Sequence, residues 1–218
     1  MVKINTVLGK LSTEDLGMTL MHEHLGTVDA NVWKAFPDWR NRSEFIDYAV
    51  GQYKKVKDRG IDTIVDVPPL DLGRDIHMIK EVSEKSGVNV VACTGIYGNS
   101  YGWHLYKDPD YIASLFIREA ETGIEGTDIK AGVIKCATHE DHINQDDERM
   151  LKIIAKVHKE TGLPIITHSI GHSGYEQQDV FEAEGVDLSR VVIGHLGDLD
   201  EVEYIVKVAE RGSYLGLD

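Results

Sequence analysis

The sequence predicts an α/β fold, a (β/α)8 TIM barrel whose eighth strand and C-terminal part lie outside the 218 residues. Three observations predict it. Short β-branched runs alternate with longer amphipathic stretches along the whole chain, as in parallel sheets joined by crossover helices. The runs are apolar on both faces, which suits strands covered by helices on each side. Neither GxGxxG nor GxxxxGKS/T follows the first run, which disfavours an open, doubly wound nucleotide-binding sheet.

The runs, in order, are MTLMHEH (18–24), DTIVDVP (62–68), NVVACTG (89–95), AGVIKCA (131–137), LPIITHS (163–169), VVIGHLG (191–197) and SYLGLD (213–218). That is seven strands, and the chain ends with the seventh. The segment 43–60 reads as a helix capped by Ser43 and stopped by Gly60. Helices are also predicted after Gly73 and after Pro109. In DDERMLKIIAKVHKETG, Met150, Ile153, Ile154 and Val157 share one face, and Gly162 ends the helix. A shorter helix is predicted near Gln177 to Gly185. The last, DLDEVEYIVKVAERG, opens with acids that suit the helix dipole and ends at Gly212. The segment from Gly26 to Arg42, with Trp33, Phe36, Pro37 and Trp39, reads as an ordered loop over the strand ends. No linker or low-complexity tract interrupts residues 1–218, so a single domain is expected.

Composition narrows the function. Lys+Arg of 23 against Asp+Glu of 37 leaves a net charge of −14, which disfavours nucleic acid and anionic membrane as partners. The first residues lack a signal-peptide core, and every apolar run is interrupted too early for a membrane span. Two cysteines, Cys93 and Cys136, form neither a disulfide framework nor a zinc-finger spacing. A reduced, cytoplasmic protein is expected. Cys136 should face away from Lys135 by strand alternation and pack against a helix.

Polar chemistry concentrates at the C-terminal ends of the runs. The first ends in His22 and His24, the fourth in Lys135, the fifth in His168 and the sixth in His195. In a (β/α)8 barrel these ends open onto the face where active sites are built. His22 and His24 are two residues apart, so in a strand they face one side while Glu23 faces the other. A lone histidine at a strand end is more often structural than a ligand. Four from three strands point to metal, with nitrogen and oxygen donors and no sulfur, a set suited to zinc, cobalt, manganese or iron. The remaining histidines, His77, His104, His139, His142, His158 and His172, read as ordinary surface residues. Lys135 has two readings. It is a buried lysine paired with a carboxylate such as Asp66 or Asp218, or its amine is carboxylated by carbon dioxide to an anionic carbamate that bridges two cations.

HEH at 22–24, VIKCA at 133–137, ITHS at 166–169 and IGHLGD at 193–198 together resemble the phosphotriesterase-like lactonases, binuclear metal hydrolases of the amidohydrolase superfamily. The resemblance runs from about Leu8 to Asp218. It implies that His22 and His24 bind the more buried of two divalent metal ions, with zinc the first expectation. Lys135 would be the carboxylated bridge, and His168 and His195 would bind the more exposed ion. Tyr97, in TGIYG, matches a tyrosine beside the metals in the lactonase branch. The implied reaction is hydrolytic opening of lactones, N-acyl homoserine or other aliphatic lactones among them, with side activity on organophosphate esters, in a homodimer. The alternatives are a primary phosphotriesterase (aryldialkylphosphatase) and a catalytically inert, truncated metal-binding protein. The family's final metal ligand is an aspartate at the end of an eighth strand. That strand, an arginine after the GLD motif and the acyl-pocket loop would all lie past Asp218. Seven strands would leave two unpaired edges, and Asp218 ends a different strand from the missing ligand.

Overall fold

The computed structural model describes residues 2–98 and 102–218. It divides into two compact units: residues up to Cys93 with Glu119–Gly132, and Thr94–Arg118 with Val133–Asp218.

The first unit opens with an antiparallel hairpin that the sequence reading did not anticipate, β1 (Lys3–Thr6) and β2 (Gly9–Ser12). Its strands are short, and five of their eight residues are polar or charged, so the apolar signal of a strand is weak. The hairpin is tied down by its backbone: Val7 N–H donates to the Val90 carbonyl at 2.9 Å and Asn5 Nδ2 to the Ala131 carbonyl at 2.8 Å. Three parallel strands follow, β3 (Met18–Glu23), β4 (Ile61–Asp66) and β5 (Asn89–Gly95). The β-branched residues Ile64, Val65, Val90 and Val91 are fully buried, as expected of strands covered on both faces.

Between β3 and β4 the expected loop contains a short helix, α1 (Ala30–Ala35), whose first turn is capped by Asp29 Oδ1 accepting from Asn31 N–H at 2.7 Å. Helix α2 (Arg42–Lys57) starts two residues before its expected position because Asn41, not Ser43, is the cap, taking the Glu44 amide. It buries Ile46, Ala49, Val50 and Tyr53, a spacing of three and four residues that marks one helical face. Helix α3 (Ile76–Ser86) is capped by Asp75 and closed by Gly87. Buried Arg74 fastens the segment after Glu119 to this unit. Its guanidinium donates to the Cys93 carbonyl at 2.8 Å and pairs with Glu119 and Glu125, the nearest contacts being 2.5 and 3.0 Å.

The second unit holds four parallel strands, β6 (Val133–Ala137), β7 (Ile165–His168), β8 (Val191–Ile193) and β9 (Tyr214–Leu215). Helix α4 (Pro109–Glu121) precedes β6. Helix α5 (Gln145–Thr161) begins at a capping box, with Asn144 accepting from the Asp147 amide and Asp147 accepting from the Asn144 amide. Its buried Met150, Ile153, Ile154 and Val157 are the face read from sequence, and Gly162 ends it as expected. Helix α6 (Ser173–Ala183) starts four residues earlier than predicted, and α7 (Val202–Glu210) occupies the middle of its predicted span. Cys136 is fully buried, in keeping with its expected packing role. Among the described residues no helix is long and apolar enough to cross a membrane.

Backbone positions near Lys135 are constrained by one glycine. Gly95 has φ +108°, and a Cβ placed there would lie 2.0 Å from the Lys135 carbonyl oxygen. The next residue, Ile96, donates its N–H to that same carbonyl at 3.1 Å. The chain passes too close for any side chain at 95, and this approach delivers Tyr97 to the end of β6. Gly95→Ala is therefore expected to lower unfolding free energy by about 3 kcal/mol, from strain and overlap combined. Gly87→Ala, where a Cβ meets nothing within 4 Å, should cost only about 1 kcal/mol for its left-handed φ. Urea unfolding of both variants checks the contrast.

Candidate metal centre

The residues that sequence reasoning selected fall into two groups. His22 and His24 belong to the first unit, at the end of β3. Their rings lie 5.4 Å apart, edge to face, so they share a side of the strand as their spacing requires. The chain continues from His24 into a fixed turn: Leu25 N–H donates to Asp66 Oδ1 at 2.6 Å. Asp66 ends β4 and is buried, so one of the two carboxylates considered as a partner for Lys135 anchors the turn after the histidine pair. Burial pushes its carboxyl up to about 7, against the Leu25 amide and Arg74, which pull it down.

The second unit gathers Tyr97, Lys135, His168 and His195. Lys135 sits at the middle of β6, where all five residues are buried, and has no exposed surface. Its Nζ lies 3.5 Å from the Thr167 carbonyl. The β6–β7 register pairs Lys135 with Ile166 and Ala137 with His168, which places the imidazole one step beyond the amine on the neighbouring strand. The His168 ring is 4.5 Å from that of His195 and 5.1 Å from that of Tyr97, and the Tyr97 hydroxyl meets His168 Nε2 at 3.3 Å. Burial, then the charges of His195, Lys135 and His139, hold the His168 imidazole down at about 3. It is neutral at pH 7, the protonation state a metal ligand needs.

His195 has φ +62°, one of two non-glycine residues with positive φ among those described. This left-handed turn ends β8 at Ile193, short of the predicted 191–197, and starts a 3-10 turn at Leu196–Asp198. The conformation is held by Asp218, whose Oδ1 accepts from His195 N–H at 3.0 Å and lies 3.4 Å from Nδ1. Asp218, the other carboxylate considered for Lys135, is thus a partner of His195. Backbone strain of this kind at a polar cluster is a frequent mark of a functional site.

Two of the histidines expected at the surface are not there. His104 is buried. His139 is half-buried with its ring 4.7 Å from Tyr97 and 5.7 Å from His168, and its Nε2 donates to the Tyr97 carbonyl at 2.7 Å. Loop residues reach a site by turns that strand periodicity does not describe, and the only sequence signal was nearness to Lys135. His158 is also partly covered, its Nδ1 bonding the Leu163 carbonyl at 2.7 Å. His172 bridges Asp141 and Glu201 at 3.0 and 3.1 Å, while His77 and His142 are exposed as expected.

The first unit thus carries paired imidazoles at one strand end, and the second a buried amine with His168 and His195 in ring contact beside it. The sequence profile of the phosphotriesterase family matches residues 2–218. The chain belongs to the phosphotriesterase family. It is a member of a family of binuclear metal hydrolases, and its fold is that of their α/β barrel. A phosphotriesterase homology protein of Mycobacterium tuberculosis is 40% identical over 230 residues, an alignment covering 100% of this chain and 71% of that protein. An aryldialkylphosphatase of Saccharolobus solfataricus is 43% identical over 218 residues, covering 97% and 69%. A more distant relative, a phospho-furanose lactonase of Mycoplasmopsis agalactiae, is 25% identical, covering 95% and 64%. The solved structure of the phosphotriesterase from Mycobacterium tuberculosis superposes with a TM-score of 0.93 at 39% identity, over 100% of this chain and 71% of that one.

The buried Asp66 carboxyl gives a pH signature. Between about pH 4 and 7 the unfolded chain releases this proton while the folded chain keeps it, so folding loses stability as pH rises through that window. Asp66→Asn retains an oxygen for Leu25 and removes the titration. Relative to wild type it should gain stability by roughly 1 to 4 kcal/mol from pH 4 to 8, with the difference levelling off above the folded value. Urea unfolding at several pH values measures it.

Proposed function

We propose that the chain opens lactones hydrolytically, and cleaves organophosphate esters more slowly, with two divalent cations held by its own side chains. His22 and His24 would serve one cation and His168 and His195 the other, with Lys135, as a carbamate, giving an oxygen to each. Zinc is the first candidate, and cobalt, manganese and iron suit the same donors. The observation that carries this reading is the desolvated Lys135 amine on a strand whose neighbour presents His168. Desolvation favours the uncharged, nucleophilic form of an amine. In carboxylation its lone pair forms an N–C bond to carbon dioxide, one C–O π pair moves onto oxygen, and the nitrogen releases a proton. The product is an anion with two oxygen donors. The relatives named as an aryldialkylphosphatase and a phospho-furanose lactonase support the pairing of substrate classes.

The cations would supply ionised water near neutral pH and polarisation of the substrate's carbonyl or phosphoryl oxygen. The rest falls to the protein. His168, neutral at pH 7 and in contact with the Tyr97 phenol at Nε2, offers a lone pair without first losing a proton. His195 is oriented by Asp218, which accepts from its backbone N–H. Tyr97 presents an O–H that can donate to the ester oxygen where negative charge develops. Tyr97 favours the lactonase over a primary phosphotriesterase, since this residue carries the likeness to the lactonase branch. The proposed setting is a reducing cytoplasm, supported by two buried, free cysteines, and the proposed assembly is a homodimer.

Lys135→Ala is expected to strip at least one equivalent of metal and to abolish hydrolysis together, read by elemental analysis beside turnover of a long-chain lactone and an aryl dialkyl phosphate. Unchanged metal content would remove the bridging role. His22→Asn should lower metal content, whereas His142→Asn, on an exposed loop, should leave it unaltered. Full metal without hydrolysis of either ester in the wild-type chain would favour the inert metal-binding alternative.

A further inference from the structure

We infer that His139 is a positioning residue for Tyr97, holding the phenol against His168 by clamping the turn that carries it. This inference rests on the proposed hydrolase reading for its kinetic consequence, though its geometry does not. A carbonyl oxygen only accepts hydrogen bonds, so the 2.7 Å contact from His139 to the Tyr97 carbonyl requires Nε2 to carry the proton. The same imidazole packs edge-on against the Tyr97 ring at 4.7 Å. One side chain therefore holds both the backbone and the ring of Tyr97.

The clamp has something to oppose. A cavity of about 260 Å3 lies beside the turn, lined among the described residues by Ile96, Tyr97, His104, Leu105, His139 and Met150 with several polar neighbours. Tyr97 is part of its lining, so the turn is not packed solidly on that side. At 3.3 Å the contact of the phenol with His168 is longer than a well-formed hydrogen bond between a hydroxyl and a ring nitrogen. On the other flank, Ile96 is fixed by its bond to the Lys135 carbonyl. His139 bonds the carbonyl of the next residue, so the turn that carries Tyr97 is held at both positions.

A purely structural histidine would affect stability alone. A positioning role predicts a change at Tyr97 that depends on the donor. The test uses the full 218-residue chain carrying 13C at the tyrosine ring carbon bonded to oxygen, without added metal. Tyr97→Phe identifies the Tyr97 resonance. His139→Ala is expected to move or broaden that line, while His139→Gln, which keeps an N–H donor of similar reach, should leave it closer to wild type. In the zinc-loaded protein, His139→Ala should lower kcat for a lactone by about tenfold with little change in KM, as a small misplacement of a reacting group does. In a Tyr97→Phe background the same substitution should cost less than about twofold, because the residue through which it acts is already disabled. A Tyr97 line unmoved in His139→Ala would overturn the inference, whatever the kinetics. So would a full tenfold loss persisting in the Tyr97→Phe background. If the wild-type chain hydrolyses no lactone, the proposed function fails, and the tyrosine resonance still decides the role of His139.

Discussion

The constraint on which the second unit depends is the complete burial of a primary amine at Lys135. Removing an ammonium from water costs several kcal/mol unless it is paired or converted, so a strand with this residue at its middle requires surroundings built for it. The surroundings are visible in the backbone. Gly95 is forced to be glycine by its approach to the Lys135 carbonyl, and Ile96 bonds to the same oxygen. The β7 register then sets His168 one step beyond the amine. Tyr97, His168 and His195 form a chain of ring contacts from that point.

The two histidine groups are held by different means. His22 and His24 sit at the end of β3 with their rings 5.4 Å apart, and Asp66 secures the exit from the strand through the Leu25 amide. His195 owes its orientation to a left-handed backbone turn that costs energy and is secured by Asp218. Strand geometry gives precise placement cheaply, and turns permit a direction that no strand provides. The net charge of −14 makes the retention of carboxylates that are already bonded, such as Asp66 and Asp218, easier to understand than free acids at the site.

Much of this was legible in the sequence because parallel strands are demanding. A run buried on both faces must be apolar, so a histidine or lysine inside it or at its end stands out, and Lys135, His168 and the HEH pair did. The α5 face was equally plain, since Met150, Ile153, Ile154 and Val157 are brought together by a helical period. What escaped lay where period fails. Asn41 and Asn144 cap helices from outside the repeating pattern. The β1–β2 hairpin is too short and polar to announce itself. His139 was read as a surface residue because its place depends on a carbonyl forty-two positions away. The contact of Asp218 with His195 depends on the positive φ of His195, which no strand pattern announces.

The most direct measurement is a crystal structure of the metal-loaded chain with anomalous scattering collected at the zinc edge. Two anomalous peaks are expected, one against His22 and His24 and one against His168 and His195, with density for three additional atoms on Lys135 Nζ reaching both. An unmodified Lys135 with no anomalous peak near it would contradict the carbamate centre and the hydrolase mechanism built on it.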